Sequence, residues 1–303
     1  MKVLVTGGAG FIGSNLVDEL VKKGFEVTVY DNNPVFMNPE AKLVRGDVLD
    51  LDSLKKAIHG AEIVYHLAAD PDVQESVKNP GKSFKVNVHG TWNVLESARL
   101  NDVKRIGFAS SGGTVYGEAK VFPTPETEVF RPVSPYGATK ACGEVYMSAY
   151  AYSYGMNCTA FRYANIIGPR LTHGVIFDFY NKLKQNPEEL EILGDGKQCK
   201  SYLHVRDCVK ASILALEKTR GYDFFNIGSE EWIQVDEIAR TVMQTMGLEN
   251  VEFKHTGGSK GWVGDVAKML LDVKKIKALG FAPEFSIKES IKDTVNWLKH
   301  ERL

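Results

Sequence analysis

Short β-branched runs alternate with stretches whose apolar residues recur at helical spacing, and this alternation sets the organisation of the chain. Val3, Leu4 and Val5 form a buried-strand run that breaks on Gly7, Gly8 and Gly10, after which Phe11, Ile12, Leu16, Leu20 and Val21 fall on one helical stripe. The run is therefore strand, glycine turn, helix. The same reading places further strands at 26–30, 42–48, 62–66 and 105–110, with helices at 50–58 and 80–100 between them. On the long helix Phe84, Val88, Thr91, Trp92, Leu95 and Ala98 mark an apolar face, with Asn87 set within it. Strands that each lead into a helix describe a doubly wound parallel α/β sheet of the Rossmann type. Further on, the pattern gives a strand and turn at 224–229, a helix at 235–246, a short strand at 251–253 and a closing helix at 287–298.

The composition bounds the function. In 303 residues, 44% hydrophobic and 25% charged with a net charge of −1, there is ample core and no basic excess, so nothing argues for nucleic acid or an anionic membrane surface. No apolar run approaches a membrane span, and residue 1 leads straight into a strand, which places the protein in the cytoplasm. Cys142, Cys158, Cys199 and Cys208 are scattered, with no spacing for zinc or a disulfide framework. Buried reduced thiols are expected, and no metal site.

The glycines carry the first chemistry. Gly8, Gly10 and Gly13 fit G-x-G-x-x-G, and Gly7, Gly10 and Gly13 fit the looser G-x-x-G-x-x-G; either lets backbone approach a pyrophosphate seated on a helix N-terminus. The second strand ends at Asp31, eighteen positions beyond Gly13. A carboxylate there accepts the adenosine ribose hydroxyls and repels a 2′-phosphate, so the dinucleotide is NAD rather than NADP. Asp47 is placed like a second cofactor contact, or like a turn or capping aspartate. His66, with no second ligand nearby, is a structural residue at a strand end, and the small exit Leu67-Ala68-Ala69 suits backbone lying on a flat ligand edge.

Two later segments bear on reactivity. Ser110-Ser111-Gly112-Gly113-Thr114 is a hydroxyl-rich turn at the carboxyl edge of the sheet, where open α/β folds bind ligands. Ser134 and Pro135 then open a helix that puts Tyr136 and Lys140 one turn apart on one face. An ammonium beside a phenol stabilises the phenolate, which turns a poor base into a usable one.

These residues resemble the extended short-chain dehydrogenase/reductase superfamily and, within it, the NAD-dependent epimerase/dehydratase family of nucleotide-sugar enzymes. The resemblance rests on Thr6 to Gly13, Gly46-Asp47-Val48, His66 to Ala69, Asn87-Val88-His89-Gly90-Thr91, Tyr136 to Lys140 and Arg162 to Arg170. It implies NAD held by Gly7, Gly10, Gly13, Asp31, Asp47, Asn87, Tyr136 and Lys140, and by the flanking Phe11, Ile12, Asn32, Val48, Leu67, Ala68, Ala69, Ser110 and Tyr163. It also implies Tyr136 as general base, a Rossmann domain over 1–165, and a smaller, interleaved substrate domain over 166–303 with a nominal boundary. Asn165, Arg170, Lys200, Tyr202 and Lys260 are the implied substrate contacts. A homodimer through the helices at 80–100 and 136–154 follows from the same resemblance.

The departures narrow the reaction. Dehydratases of the family carry Asp-Glu where this chain has Gly113 and Thr114, so elimination of water lacks its acid–base pair. Epimerases carry Ser or Thr where this chain has Gly112, so either Ser111 or Thr114 moves its hydroxyl in beside Tyr136, a water substitutes, or Tyr136 takes the proton directly; the expectation is Tyr136 working with Ser111 or Thr114. The family's phosphate arginine is Lys200, which keeps the charge but loses the bidentate fork. Near the end, Trp262 stands in place of a diphosphate arginine, with Lys260 the nearest cation. The expectation is 4-epimerisation of a UDP-sugar of the glucose/galactose type on NAD that stays bound. A decarboxylase, reductase or uronate epimerase, or a non-catalytic NAD-binding module, are the rivals.

Overall fold

The computed structural model describes residues 1–262 and 264–300. Its centre is a seven-stranded sheet made of β1 (Lys2–Thr6), β2 (Glu26–Asp31), β3 (Lys42–Arg45), β4 (Ile63–His66), β5 (Arg105–Ser111), β6 (Asn157–Tyr163) and the late strand Tyr222–Ile227. All pair in parallel, in the order Tyr222–Ile227, β6, β5, β4, β1, β2, β3. This is the doubly wound α/β fold the pattern predicts. β3 stops at Arg45, short of the expected 48, because Asp47 is drawn into a turn: its carbonyl accepts the Asp50 N–H and its carboxylate the Leu49 N–H, each at 2.9 Å.

Strand alternation divides the core into two layers. Val3, Val5, Val27 and Val29 pack with the side of the sheet covered by helices Phe11–Lys22 and Val205–Lys218. Leu4, Val64 and Phe108 point the other way, toward helices Leu51–Ile58, Gly90–Leu100 and Pro135–Tyr154. A third core, around Leu183, Ile192, Ile238, Val242, Ile291 and Leu298, holds helices Val175–Gln185, Val235–Met246 and Ile287–His300 together. The chain thus leaves the sheet after β6, returns to it for the helix Val205–Lys218 and its seventh strand, and leaves again. A line drawn at residue 165 puts that seventh strand on its far side.

The helical stretch 80–100 is continuous but not uniform: Pro80–Phe84 and Gly90–Leu100 are joined by a π turn at Lys85–His89. The wider turn shifts the helical phase. Phe84, expected on the apolar face, is 58% exposed as a result. Strand order reverses between β1 and β4, and such a reversal opens a crevice at the carboxyl ends of both strands. No described helix is long and apolar enough to cross a membrane.

Candidate active site

A cavity of about 1270 Å³ fills that crevice and continues over the third core. At its floor, Gly7 adopts φ +66°, and a Cβ on Gly13 would fall 2.0 Å from the Gly7 carbonyl oxygen. Only glycines close this turn. Gly7, Gly10 and Gly13 line the cavity, as do Phe11 and Ile12, so the looser glycine pattern is the operative one. The helix they open, Phe11–Lys22, has no side-chain cap at Gly10, which leaves its first N–H groups for an anion.

Asp31 ends β2 with its carboxylate fixed by two backbone donors, Ala9 N–H at 3.1 Å and Asn33 N–H at 2.9 Å. Asn32 and Asp47 join it on the wall and touch each other, amide to carboxylate, at 3.3 Å. Val48, Leu67, Ala68 and Ala69 complete this half. Behind it, His66 is buried between the Thr6 and Thr91 hydroxyls, at 2.7 and 3.0 Å, and burial pushes its pKa down to about 3. It is a neutral structural residue. An open helix N-terminus, a glycine floor and a fixed carboxylate are the donor set that suits NAD.

Tyr136 and Lys140 stand on the helix Pro135–Tyr154, whose Ser134 side chain caps it through the Gly137 N–H. Both line the cavity. The Lys140 ammonium donates to the Ala109 carbonyl at 2.8 Å and lies 5.7 Å from the Tyr136 ring centroid. Burial pushes the Tyr136 phenol up to about 12, and the Ser111 hydroxyl facing it pulls in the opposite direction. Burial also lowers Lys140 to about 8, so it is charged at neutral pH.

The gap at Gly112 has a packing cause. A Cβ there would sit 2.6 Å from a Leu271 methyl and 3.0 Å from the Arg162 carbonyl oxygen, so this position faces protein. Ser111 and Thr114 both line the cavity. Ser111 is the one that pulls the phenol's pKa down, while the Thr114 hydroxyl leans back on the Ser111 carbonyl at 3.5 Å.

Several expected contacts lie elsewhere. Asn87 does not line the cavity; its amide is spent on both backbone groups of Asp70 and on the Ser83 and Thr139 hydroxyls, a buried tie between the loop after β4 and the Tyr136 helix. Ser110 borders the cavity, but its hydroxyl donates to buried Glu144. The Tyr163 hydroxyl bonds Ser212 at 2.8 Å, so only the remainder of the residue borders the cavity. Arg170 turns away altogether: it pairs with Asp18 at 2.8 Å and lines a separate groove beside helix Ile287–His300. Lys260 pairs with Glu118 and is absent from the lining.

In the second half of the cavity, Asn165, Lys200 and Tyr202 line the wall as expected, beside Trp262. The Lys200 ammonium is 2.6 Å from Asp265 and 5.1 Å from the Trp262 ring centroid. The sequence reading misses the segment 171–185, which supplies His173, Asp178, Phe179 and Lys182. In the helix of this segment Ile176, Phe179, Tyr180 and Leu183 are buried, while Asp178 and Lys182 turn to the cavity. Gly168 and Gly174, both at positive φ around a polar stretch, are the available signal.

Residues 3–228 match the sequence profile of the NAD dependent epimerase/dehydratase family. The UDP-glucose 4-epimerase of Mycolicibacterium smegmatis is 32% identical over 316 residues, 99% of each chain. Among solved structures, a UDP-galactose 4-epimerase superposes with a TM-score of 0.91 at 44% identity over 100% of both chains. A Thermus thermophilus UDP-glucose 4-epimerase in complex with NAD does so with 0.90 at 34% identity over 99% of both.

Proposed function

The chain belongs to the NAD dependent epimerase/dehydratase family, and from that premise we propose that it is a nucleotide-sugar 4-epimerase interconverting UDP-glucose and UDP-galactose. The observation that carries this is the cluster Tyr136, Lys140 and Ser111 at the junction of the two halves of the cavity, with Gly113 and Thr114 where dehydration needs carboxylates. Relatives in the family also include a decarboxylase and a uronate 4-epimerase, so the finer assignment rests on this cluster.

NAD, held by the Gly7–Gly13 turn and Asp31, supplies the hydride acceptor when bound. Tyr136 takes the proton from the sugar 4-hydroxyl, and Lys140 lowers the cost of the phenolate that results. The Ser111 hydroxyl orients the same oxygen. Once the keto-sugar has turned over in the pocket, Tyr136 returns the proton to the other epimer. Lys200, backed by Asp265, meets the diphosphate.

Purified protein incubated with UDP-galactose and no added NAD is expected to produce UDP-glucose, read by chromatography. Release of NADH points instead to net oxidation, carbon dioxide released from UDP-glucuronate supplied in a parallel incubation points to decarboxylation, and NAD binding without any turnover to a non-catalytic module.

We also propose a homodimer. Val145, Tyr146 and Tyr152 on the helix Pro135–Tyr154 are 63%, 41% and 95% exposed, and Phe84 stands on the neighbouring helical stretch. Covering these side chains is worth roughly 25 cal/mol per Å² of apolar area. Light scattering is expected to give twice the chain mass of 33.6 kDa. The chain mass itself would sink this.

A further inference from the structure

We infer that Ser76, on the short helix Val73–Lys78, is a positioning residue for the base: its hydroxyl is the acceptor that the Tyr136 N–H lacks on its own helix, and it fixes where the phenol stands in the cavity. The inference rests on the reading of Tyr136 as the base and adds to it the residue that holds it. A helix leaves its first N–H groups without internal acceptors. In Pro135–Tyr154, Pro135 has no N–H, and the Ala138 N–H is the first to reach back within the helix, to the Ser134 carbonyl at 3.1 Å. Two donors remain. The Gly137 N–H goes to the Ser134 side chain at 3.1 Å, the helix's own cap. The Tyr136 N–H goes to Ser76, 60 residues earlier in the chain, also at 3.1 Å.

Ser76 is fully buried, and its hydroxyl proton is committed to the Val73 carbonyl at 2.6 Å, which leaves its lone pairs for the Tyr136 amide. The other end of Tyr136 is held in the same manner. Its carbonyl accepts the Thr139 hydroxyl at 2.7 Å, and the Thr139 oxygen accepts the Asn87 amide at 3.1 Å. Neither Ser76 nor Thr139 lines the cavity, so neither meets the substrate, and any effect of Ser76 on the reaction passes through Tyr136. Val73, whose carbonyl anchors the Ser76 hydroxyl, does line it, beside Gln74. One short helix therefore walls the cavity and holds its base. The phenol oxygen stands at the end of a long rigid side chain, so a small tilt of the first helical turn displaces it. A misplacement of about 1 Å can cost about a hundredfold in rate, and a fraction of that is worth about tenfold.

The test is steady-state kinetics on UDP-galactose for wild type, Ser76→Ala, Tyr136→Phe and the double variant, with retained NAD measured on each. Ser76→Ala is expected to lower kcat about tenfold while KM and retained NAD stay within about twofold of wild type, the split that marks an interaction used in the transition state. On the Tyr136→Phe background the same change should cost less than about twofold, since the group it positions is gone. Ser76→Cys keeps a weaker acceptor at the same place and should fall between alanine and wild type. Ser76→Ala with kcat within about twofold of wild type, a rise in KM in place of the loss in kcat, or an equal loss on both backgrounds would each overturn the role of Ser76. The two readings fail apart. Tyr136→Phe with wild-type kcat removes Tyr136 as the base and the role of Ser76 with it, whereas an impaired Tyr136→Phe beside an unimpaired Ser76→Ala removes only the role of Ser76.

Discussion

Tyr136→Phe is expected to lower kcat for UDP-galactose about 1000-fold while leaving the fold as it is. A positioned general base contributes about 10²- to 10⁴-fold, and a thousandfold corresponds to about 4 kcal/mol of transition-state stabilisation. The substitution is clean because the backbone at this position does not depend on the phenol. Its N–H goes to the Ser76 hydroxyl at 3.1 Å, its carbonyl receives the Thr139 hydroxyl at 2.7 Å, and Ser134 caps the turn. What is lost is a proton acceptor that burial has pushed up to about 12 against the pull of Ser111, with the Lys140 ammonium 5.7 Å from its ring centroid to favour the phenolate. The supporting ammonium is present only below its own pKa of about 8, so the alkaline limb of wild-type activity should follow Lys140. A Tyr136→Phe variant retaining more than a tenth of wild-type kcat in a coupled assay would show that another group takes the proton.

The parts of the site legible in the sequence are those whose chemistry is local. Gly7, Gly10 and Gly13 must be glycines because backbone meets backbone there, and Asp31 follows from the length of one helix and one strand. The pair Tyr136 and Lys140 depends only on helical spacing. Residues whose role depends on a distant partner are not legible in this way. Arg170 meets Asp18 from the first helix, Lys260 meets Glu118, and Asn87 is consumed by Asp70 and Thr139, all matters of tertiary placement that spacing does not encode. The seventh strand is legible as a strand but not as a member of the main sheet, since its pairing with β6 joins Tyr222 to Cys158 across the whole helix Val205–Lys218.

Arg162→Met is expected to destabilise the protein by about 3–5 kcal/mol, because it strands a buried charge. Arg162 on β6 and Glu144 on the Tyr136 helix pair at 2.8 Å with side chains only 5% and 1% exposed. The guanidinium is fully used: Nε and Nη2 go to Glu144, and Nη1 goes to the Tyr116 hydroxyl at 2.7 Å and the Glu126 carbonyl at 2.9 Å. Phe224 and Phe130 flank it at 4.1 and 4.6 Å from their ring centroids. Without it Glu144 keeps only the Ser110 and Tyr222 hydroxyls, too little to hold a carboxylate in that interior. At roughly 2–4 °C per kcal/mol, the melting temperature should fall by about 10 °C. The double variant Glu144→Leu/Arg162→Met, which removes both charges, should recover most of the loss, since a buried pair replaced by apolar groups is often neutral or better. Glu144 also lies one turn beyond Lys140 and two beyond Tyr136. The single variant should therefore lose kcat as well as stability, with the helix no longer pinned to the sheet beneath its catalytic pair. Thermal unfolding of the single variant within about 1 kcal/mol of wild type, or a double variant no better than the single, would mean that apolar packing alone fixes that helix.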